Sequence, residues 1–320
     1  MRKKVIVTGG AGFIGSAVVK ELLLRDYEVR VIDDLSKPES VFFNECEFFK
    51  IDLTDQEKTS KAFNGFQCCI NLAAKIGGIG YFHKYPATIL SENNKIYSST
   101  FEAAVKNDFG KMVYVSSSMV FESALRFPSK EDDLSAIPMP ITAYGFSKLI
   151  GEIYCKSFLK EYGLPYTIIR PFNAYGINEA PGEEVGYAHV IPDLTKKILM
   201  RQNPLEILGD GTQTRCFTHV FDIAQAIVIA LESDKALNED FNISSPIETK
   251  IIDLARLIFD ICDTGEGFNI KFVKSFEHDV RRRVPDVTKA EQLLGWKAKT
   301  SLEDGLPAVI DWIKGKHHAK

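Results

Sequence analysis

The chain holds few cysteines, six in 320 residues, and none forms a C-x-x-C pair or stands with histidine at the spacing of a zinc site. Cys46, Cys68, Cys69, Cys155, Cys216 and Cys262 therefore indicate neither a metal nor a disulfide framework, and they fit a reducing compartment. No apolar run reaches the ~18–20 residues that a membrane-spanning helix needs, so no membrane partner is expected. The opening MRKKVIVTGG passes straight into a strand-like run too short for the apolar core of a secretory leader. The cytoplasm is then the default location. Positive charge is not in excess either: a formal net charge of -4 gives no broad basic field, which disfavours nucleic acid as a partner. Repeats and low-complexity tracts are absent. His317-His318, a pair in a lysine-rich tail, reads as solvated.

What is present is the balance of a globular protein, 45% hydrophobic and 26% charged. Cores stop growing near ~250–300 residues, so this length suits one main domain with an appended lobe. Short apolar runs at 4–8, 28–32, 46–51, 68–72, 111–115 and 166–169 read as buried strands. Helical patterns at 11–24, 55–63, 86–107 and 143–162 separate most of them. Strands alternating with helices imply a parallel sheet built by right-handed crossovers. After Arg170-Pro171 the texture changes, with Pro, Gly and Asn frequent through Pro204. The expected division is a first domain over 1–170, with a return segment near 219–243, and a lobe over 171–320. Helices at 220–231, 251–261, 288–294 and 302–313 and a strand at 241–243 complete the reading.

Between the first strand and first helix stands Thr8-Gly9-Gly10-Ala11-Gly12-Phe13-Ile14-Gly15. Gly9, Gly12 and Gly15 have the spacing G-x-x-G-x-x-G. A turn this tight needs a residue without Cβ, a diphosphate approaches backbone only where no side chain intervenes, and the third glycine lets helix and strand pack closely. The helix N-terminus then offers free N–H groups to the anion. Asp33 ends the second strand about 20 residues on, the spacing of a carboxylate that holds a ribose. A carboxylate there repels a 2′-phosphate, so NAD is favoured over NADP, with Lys37 the nearby cation that would suit the latter.

Ala143-Tyr144-Gly145-Phe146-Ser147-Lys148 sets Tyr144 and Lys148 four apart on one helix face. A phenol titrates near ~10, and an adjacent ammonium stabilises its anion, so the pair can exchange protons near neutrality. Ser117, in a serine run at a strand's carboxyl end, stands where open α/β sheets place their chemistry. The spacing alone has little weight, since Tyr166 and Arg170 form a similar pair by chance. The serine run and the glycine loop supply the weight.

Over nearly its whole length the chain resembles the extended short-chain dehydrogenases that act as nucleotide-sugar epimerases, dehydratases and related enzymes. Beyond the motifs above, the resemblance rests on Asp52-Leu53, Asn71-Leu72-Ala73-Ala74, Arg170-Pro171-Phe172-Asn173-Ala174-Tyr175-Gly176, Gly209 to Arg215, and Arg283-Val284-Pro285-Asp286 before Leu293-Leu294-Gly295-Trp296. It implies an α/β fold: a Rossmann-type doubly wound parallel sheet that holds NAD, with a smaller C-terminal α/β substrate-binding lobe that closes on a nucleoside-diphosphate sugar. Gly9, Gly12, Phe13, Ile14, Gly15, Asp33, Asp52, Leu53, Ala73 and Lys148 would contact the cofactor. Ser117, Tyr144 and Lys148 would be catalytic, Ser118 and Asn173 would contact the sugar nucleotide, and Arg215 and Arg283 would clamp its diphosphate. Relatives pair helices equivalent to 86–107 and 143–162 across a two-fold axis, which implies a homodimer.

Such enzymes first oxidise a sugar hydroxyl, with the tyrosine as base. The resemblance places an acidic residue just after the serine position in dehydratases and decarboxylases, where this chain has Ser118-Met119. A thioether cannot transfer protons, so elimination lacks its usual acid and base. C4 epimerisation needs no further group and leads. The segment from Ala73 to Gly80 and His189-Val190-Ile191-Pro192 are also similar to GDP-mannose 3,5-epimerase and GDP-fucose synthase, which makes a 3,5-epimerase, reductase or dehydrogenase using His189 the alternative. A non-catalytic dinucleotide-binding regulator is the reading from another class, and intact Ser117, Tyr144 and Lys148 argue against it.

Overall fold

The computed structural model describes residues 2–318 except Pro38, Val185 and His278, and excludes the side chains of His317 and His318, so the solvated reading of that pair lies outside the described residues. Strands β1 (Lys4–Thr8), β2 (Glu28–Asp33), β3 (Glu47–Lys50), β4 (Cys68–Asn71), β5 (Lys111–Val115) and β6 (Tyr166–Pro171) form the sheet suggested by the apolar runs. Between them lie α1 (Phe13–Leu24), α2 (Gln56–Phe63), α3 (Ile79–Lys84), α4 (Pro86–Lys106) and α5 (Ala143–Tyr162). The remainder contains β7 (Ala174–Tyr175), α6 (Val190–Leu199), β8 (Leu205–Leu208), β9 (Thr214–Cys216), β10 (Thr218–His219), α7 (Val220–Glu232), β11 (Glu239–Ile243), β12 (Glu248–Lys250), α8 (Ile251–Cys262), β13 (Ile270–Val273), β14 (Arg282–Arg283) and α9 (Leu302–His318).

The main sheet has the order β11, β6, β5, β4, β1, β2, β3, and every pairing in it is parallel. Its inner strands β1, β4, β5 and β6 are buried on both faces because both are covered. Along β1, Val5 and Val7 enter a core with α1 and α7 residues such as Val18, Leu22, Ile223 and Ile227. Ile6, between them, enters the opposite core with Phe63, Tyr97, Phe101 and Cys155 from α2, α4 and α5. The period-2 alternation of a strand thus feeds two helix layers. Strand order reverses between β1 and β4, which opens a crevice at their carboxyl ends.

Two long-range features tie later segments to this sheet. Arg170 on β6, fully buried, forks onto Glu152 of α5 at 2.8 and 2.7 Å and reaches Asp240 on β11 at 2.7 Å. Trp296 is buried in the core between α1 and α7, its indole N–H donating to the carbonyl of Asp222 at 3.0 Å. The helix expected at 288–294 is a single π-helical turn, Ala290–Leu294, ended by Gly295 in the left-handed conformation at φ 64°. The lobe has a separate core, with Leu194, Ile198, Leu254, Ile258, Val309 and Ile310 brought together from α6, α8 and α9.

Candidate active site

The glycine loop is built as its spacing requires. Gly9 has φ 68°, and a Cβ there would lie 2.9 Å from the backbone N of Ala73. A Cβ on Gly15 would lie 2.0 Å from the Gly9 carbonyl oxygen, so the first turn of α1 rests directly on the loop. Gly12 caps α1 without a side chain, leaving the first N–H groups of the helix, at Phe13 and Ile14, to meet an anion. Asp33 sits behind the loop, accepting from the N–H of Ala11 at 3.1 Å and of Leu35 at 2.9 Å. Burial raises its pKa despite those two donors. Thr8 joins β1 to β4, donating to Asn71 Oδ1 at 2.7 Å and accepting from the N–H of Ala73 at 3.4 Å. Lys37 is engaged elsewhere, on the carbonyl of Ile76 at 2.8 Å. A bare backbone cradle, an uncapped helix N-terminus and a carboxylate one strand away fit a dinucleotide. Asp52 and Leu53 follow β3, outside the cavity that Tyr144 faces. Asp52 is exposed and accepts from Thr54 at 2.9 and 2.8 Å, while Leu53 is buried in the core.

A large cavity lies between the sheet's carboxyl edge and the lobe, and its wall includes Ser117, Ser118, Tyr144, Asn173, Arg215 and Arg283. The three serines after β5 have separate duties. Ser116 donates to Glu152 at 2.6 Å, fixing α5 to the sheet. Ser117 accepts from the N–H of Met119 at 3.2 Å and lies on the same cavity wall as Tyr144, whose pKa it lowers. Ser118 accepts from Nη1 of Arg283 at 3.5 Å.

Thr142 caps α5, accepting from the N–H of Gly145 at 3.1 Å, which sets Tyr144 in the first turn. The Tyr144 ring stacks on Phe82 of α3, with centroids 4.5 Å apart and planes at 9°, and Met119 packs in the same cluster. One turn on, Lys148 donates to the Val115 carbonyl at 2.9 Å and lies 6.0 Å from the centre of the Tyr144 ring. Burial pushes Lys148 down to about 7, with Glu152 opposing. Burial also raises Tyr144, with Ser117 and Arg283 opposing. Each ion is costly here alone, and a phenolate formed beside the ammonium lessens both costs.

Two arginines line one end of the cavity. Arg215 on β9 and Arg283 on β14 are register partners on parallel strands. Arg215 pairs with Asp279 at 2.8 Å, whereas the buried Nε of Arg283 has no partner among the described residues. Burial lowers both pKa values, that of Arg283 to about 9. Only one member of the Arg281–Arg283 run faces the cavity: Arg281 turns to Asp210 at 3.0 Å and Arg282 to Glu248 at 2.8 Å. Asn173, at φ 37°, is fixed by its Nδ2, which donates to the Cys216 carbonyl at 3.2 Å. His189 caps α6 on the cavity wall with Nδ1 on Glu179. The ring is half exposed, the surrounding walls partly desolvate it and oppose its charge, and Glu179 outweighs them and raises its pKa.

Phe82, Glu179, Asp279 and Glu122 are wall residues that sequence reading missed. Phe82 lies on α3, a six-residue helix too short to show a period. The acidic residues carry no motif. No helix among the described residues is long and apolar enough to cross a membrane, and no group of three or more His, Cys, Asp or Glu residues there could hold a metal.

Known proteins share this fold. UDP-glucose 4-epimerase of Thermotoga maritima, solved with UDP-glucose, superposes with a TM-score of 0.88 at 32% identity, over 98% of this chain and 99% of that one. UDP-glucuronic acid 4-epimerase of Bacillus cereus, solved with UDP-glucuronic acid and NAD, gives 0.87 at 30% identity, with 98% and 99% covered. UDP-N-acetyl-alpha-D-glucosaminuronate decarboxylase of Bacillus cytotoxicus is 30% identical, with 98% of both chains covered. Residues 5–244 match the family described as NAD dependent epimerase/dehydratase, from the glycine cradle through to the last strand of the main sheet, and the chain belongs to that family.

Proposed function

We propose that this enzyme inverts C4 of a nucleoside-diphosphate sugar through a transient 4-keto sugar. The observation that carries the reading is the pairing of Tyr144 with Met119 in one apolar cluster. The phenol, with Ser117 on the same wall and Lys148 one turn on, can take the proton of a sugar hydroxyl. Met119 fills the position from which an acidic residue would drive elimination, and a thioether cannot move a proton. The glycine cradle would hold NAD, which would supply a reversible hydride acceptor. Ser117 and Tyr144 orient the reacting hydroxyl, Lys148 favours the phenolate, and Ser118 and Asn173 flank the sugar. Arg215 and Arg283 grip the diphosphate as paired guanidinium forks. A keto-sugar free to turn about this anchored end would present its other face for reduction, and Tyr144 would return the proton to its oxygen. Such turnover needs no external reductant, so the cofactor stays bound.

His189 favours a second reading. Its position on the wall, beside a Glu179 that favours its protonated form, suits proton donation in a 3,5-epimerase or a keto-sugar reductase. A panel of UDP-, GDP- and CDP-sugars followed by NMR in deuterated water separates the two. Inversion at C4 without solvent deuterium supports the first, and deuterium at C3 or C5 supports the second. We further propose a homodimer through α4 and α5, where Ile153 and Tyr162 are exposed on α5; a monomeric mass by light scattering refutes it.

A further inference from the structure

Glu122 is a carboxylate that the proposed chemistry does not use. It lies directly after the Ser118–Phe121 turn, is 9% exposed, and belongs to the same cavity wall as Tyr144. Its Oε2 accepts three hydrogen bonds at the entry to α5: from the N–H of Ile141 at 3.0 Å, the N–H of Thr142 at 2.9 Å and Oγ1 of Thr142 at 3.0 Å. These bonds fix the group two residues ahead of Tyr144. Its Oε1 is buried and has no donor among the described residues.

The charges around it are already committed. Of the cations on the wall, Lys197 pairs with Asp193, Arg215 with Asp279 and His189 with Glu179. Among the described residues Arg283 is the wall cation without an ion pair, and the diphosphate requires it. A sugar bearing its own carboxylate would therefore bring another anion to a wall that holds Glu122 and Glu179, with no free cation to receive it. A sugar bearing hydroxyl or acetamido donors brings what a carboxylate short of a donor favours.

We infer that the sugar this site accepts is uncharged, and that Glu122 sets the discrimination against hexuronic acids. The inference rests on the nucleotide-sugar reading above and names the substrate class within it. Family membership leaves the point open, because the family holds enzymes of both kinds.

The test is equilibrium binding by calorimetry to NAD-loaded protein in the Tyr144→Phe background, where neither sugar is converted. UDP, GDP, CDP and dTDP alone first identify the nucleotide, and the matched hexose and hexuronic acid forms of that nucleotide are then compared. For uridine these are UDP-glucose and UDP-glucuronic acid. With Glu122 present the neutral sugar should bind at least ~100-fold more tightly, the scale of a like-charge contact in a desolvated site. Glu122→Gln keeps an oxygen for the α5 donors, removes the charge and turns an NH2 toward the other side. It should shrink the preference by ~10-fold or more. Glu122→Asp keeps the charge and should keep the preference. A purely structural role would weaken both sugars alike and leave the ratio unmoved. Equal binding of the two sugars with Glu122 present, or an unchanged ratio in Glu122→Gln, overturns the inference while C4 inversion by NMR still stands. Failure of every nucleotide to bind overturns the functional reading and the inference with it.

Discussion

Arg215 and Arg283 face each other in register on β9 and β14, so one cavity wall carries two guanidinium groups side by side. Like charges opposite one another in a sheet are unfavourable, and here only one of them is relieved by an ion pair, Asp279 at 2.8 Å. A dianionic ligand reverses the sign of that cost. A nucleoside diphosphate without its sugar should therefore bind and raise the melting temperature. Arg283→Ala should weaken that binding by about 2–5 kcal/mol, the usual cost of losing one side of a buried charge pair. Arg283→Lys should not restore it, because a single ammonium lacks the fork. In ligand-free protein Arg283→Ala should be neutral or stabilising, since burial already depresses the guanidinium to about 9. Calorimetry with and without the nucleotide checks both halves.

Tyr144 owes its position to packing as much as to its hydroxyl. The ring stacks on Phe82 at 4.5 Å, and this contact survives when the oxygen is removed. Tyr144→Phe should keep its fold and bound cofactor yet lose ~10²–10⁴-fold in turnover, the range for one proton-transfer group. Ser117→Ala should cost less, because it orients the hydroxyl without taking its proton. Rates under saturating sugar nucleotide, measured beside the absorbance of bound cofactor, separate loss of chemistry from loss of structure. Unchanged turnover in Tyr144→Phe would remove the catalytic assignment.

Lys148 makes a pH-dependent contribution whose sign is fixed by burial. Its folded pKa is lowered to about 7, below the ordinary lysine value, so between the two the unfolded chain holds a proton that the folded chain lacks. Stability from this group therefore rises with pH across that window, and below about 7 the full cost of burying the ammonium is present. In cofactor-free protein, the melting temperature of Lys148→Met relative to the parent should be highest near pH 7 and fall steadily toward pH ~10. A difference that does not change with pH would show that the ammonium bears no such burial cost.

The sheet was legible in the sequence because strands covered on both faces are apolar throughout, and the helices between them are long enough to show a period. Val5, Ile6 and Val7 announce a buried strand without reference to any partner. The glycine loop was legible because backbone geometry excludes side chains, which makes residue identity and conformation the same information. Part of the cavity wall was not. Phe82, Asp279 and Glu122 come to the site from α3, a loop near β14 and the turn after β5, and their roles arise from long-range packing that no local pattern encodes. Within the basic run the resemblance assigned only Arg283 to the diphosphate, and the short strand's alternation sends its neighbour Arg282 away to Glu248.

Gly15 offers the sharpest test of the cradle, because its requirement is steric and owes nothing to chemistry. Any Cβ there would stand 2.0 Å from the Gly9 carbonyl oxygen and 2.8 Å from the Gly10 Cα, and both are backbone atoms that cannot rotate aside. Gly9 cannot retreat, since it is itself confined at φ 68° against the backbone of Ala73. Gly15→Ala must therefore push α1 away from β1, opening the contact between the helix N-terminus and the loop on which a pyrophosphate would sit. The expected outcome is purification without bound NAD and an affinity for added NAD lower by at least ~10-fold, with a melting temperature below that of the parent protein. Gly12→Ala is the matched control, because its Cβ would meet the Gly9 oxygen at 3.3 Å, a contact that a small shift relieves, and its loss of NAD should be milder. Equal retention of NAD by Gly15→Ala and the parent would show that the cofactor does not sit on this turn.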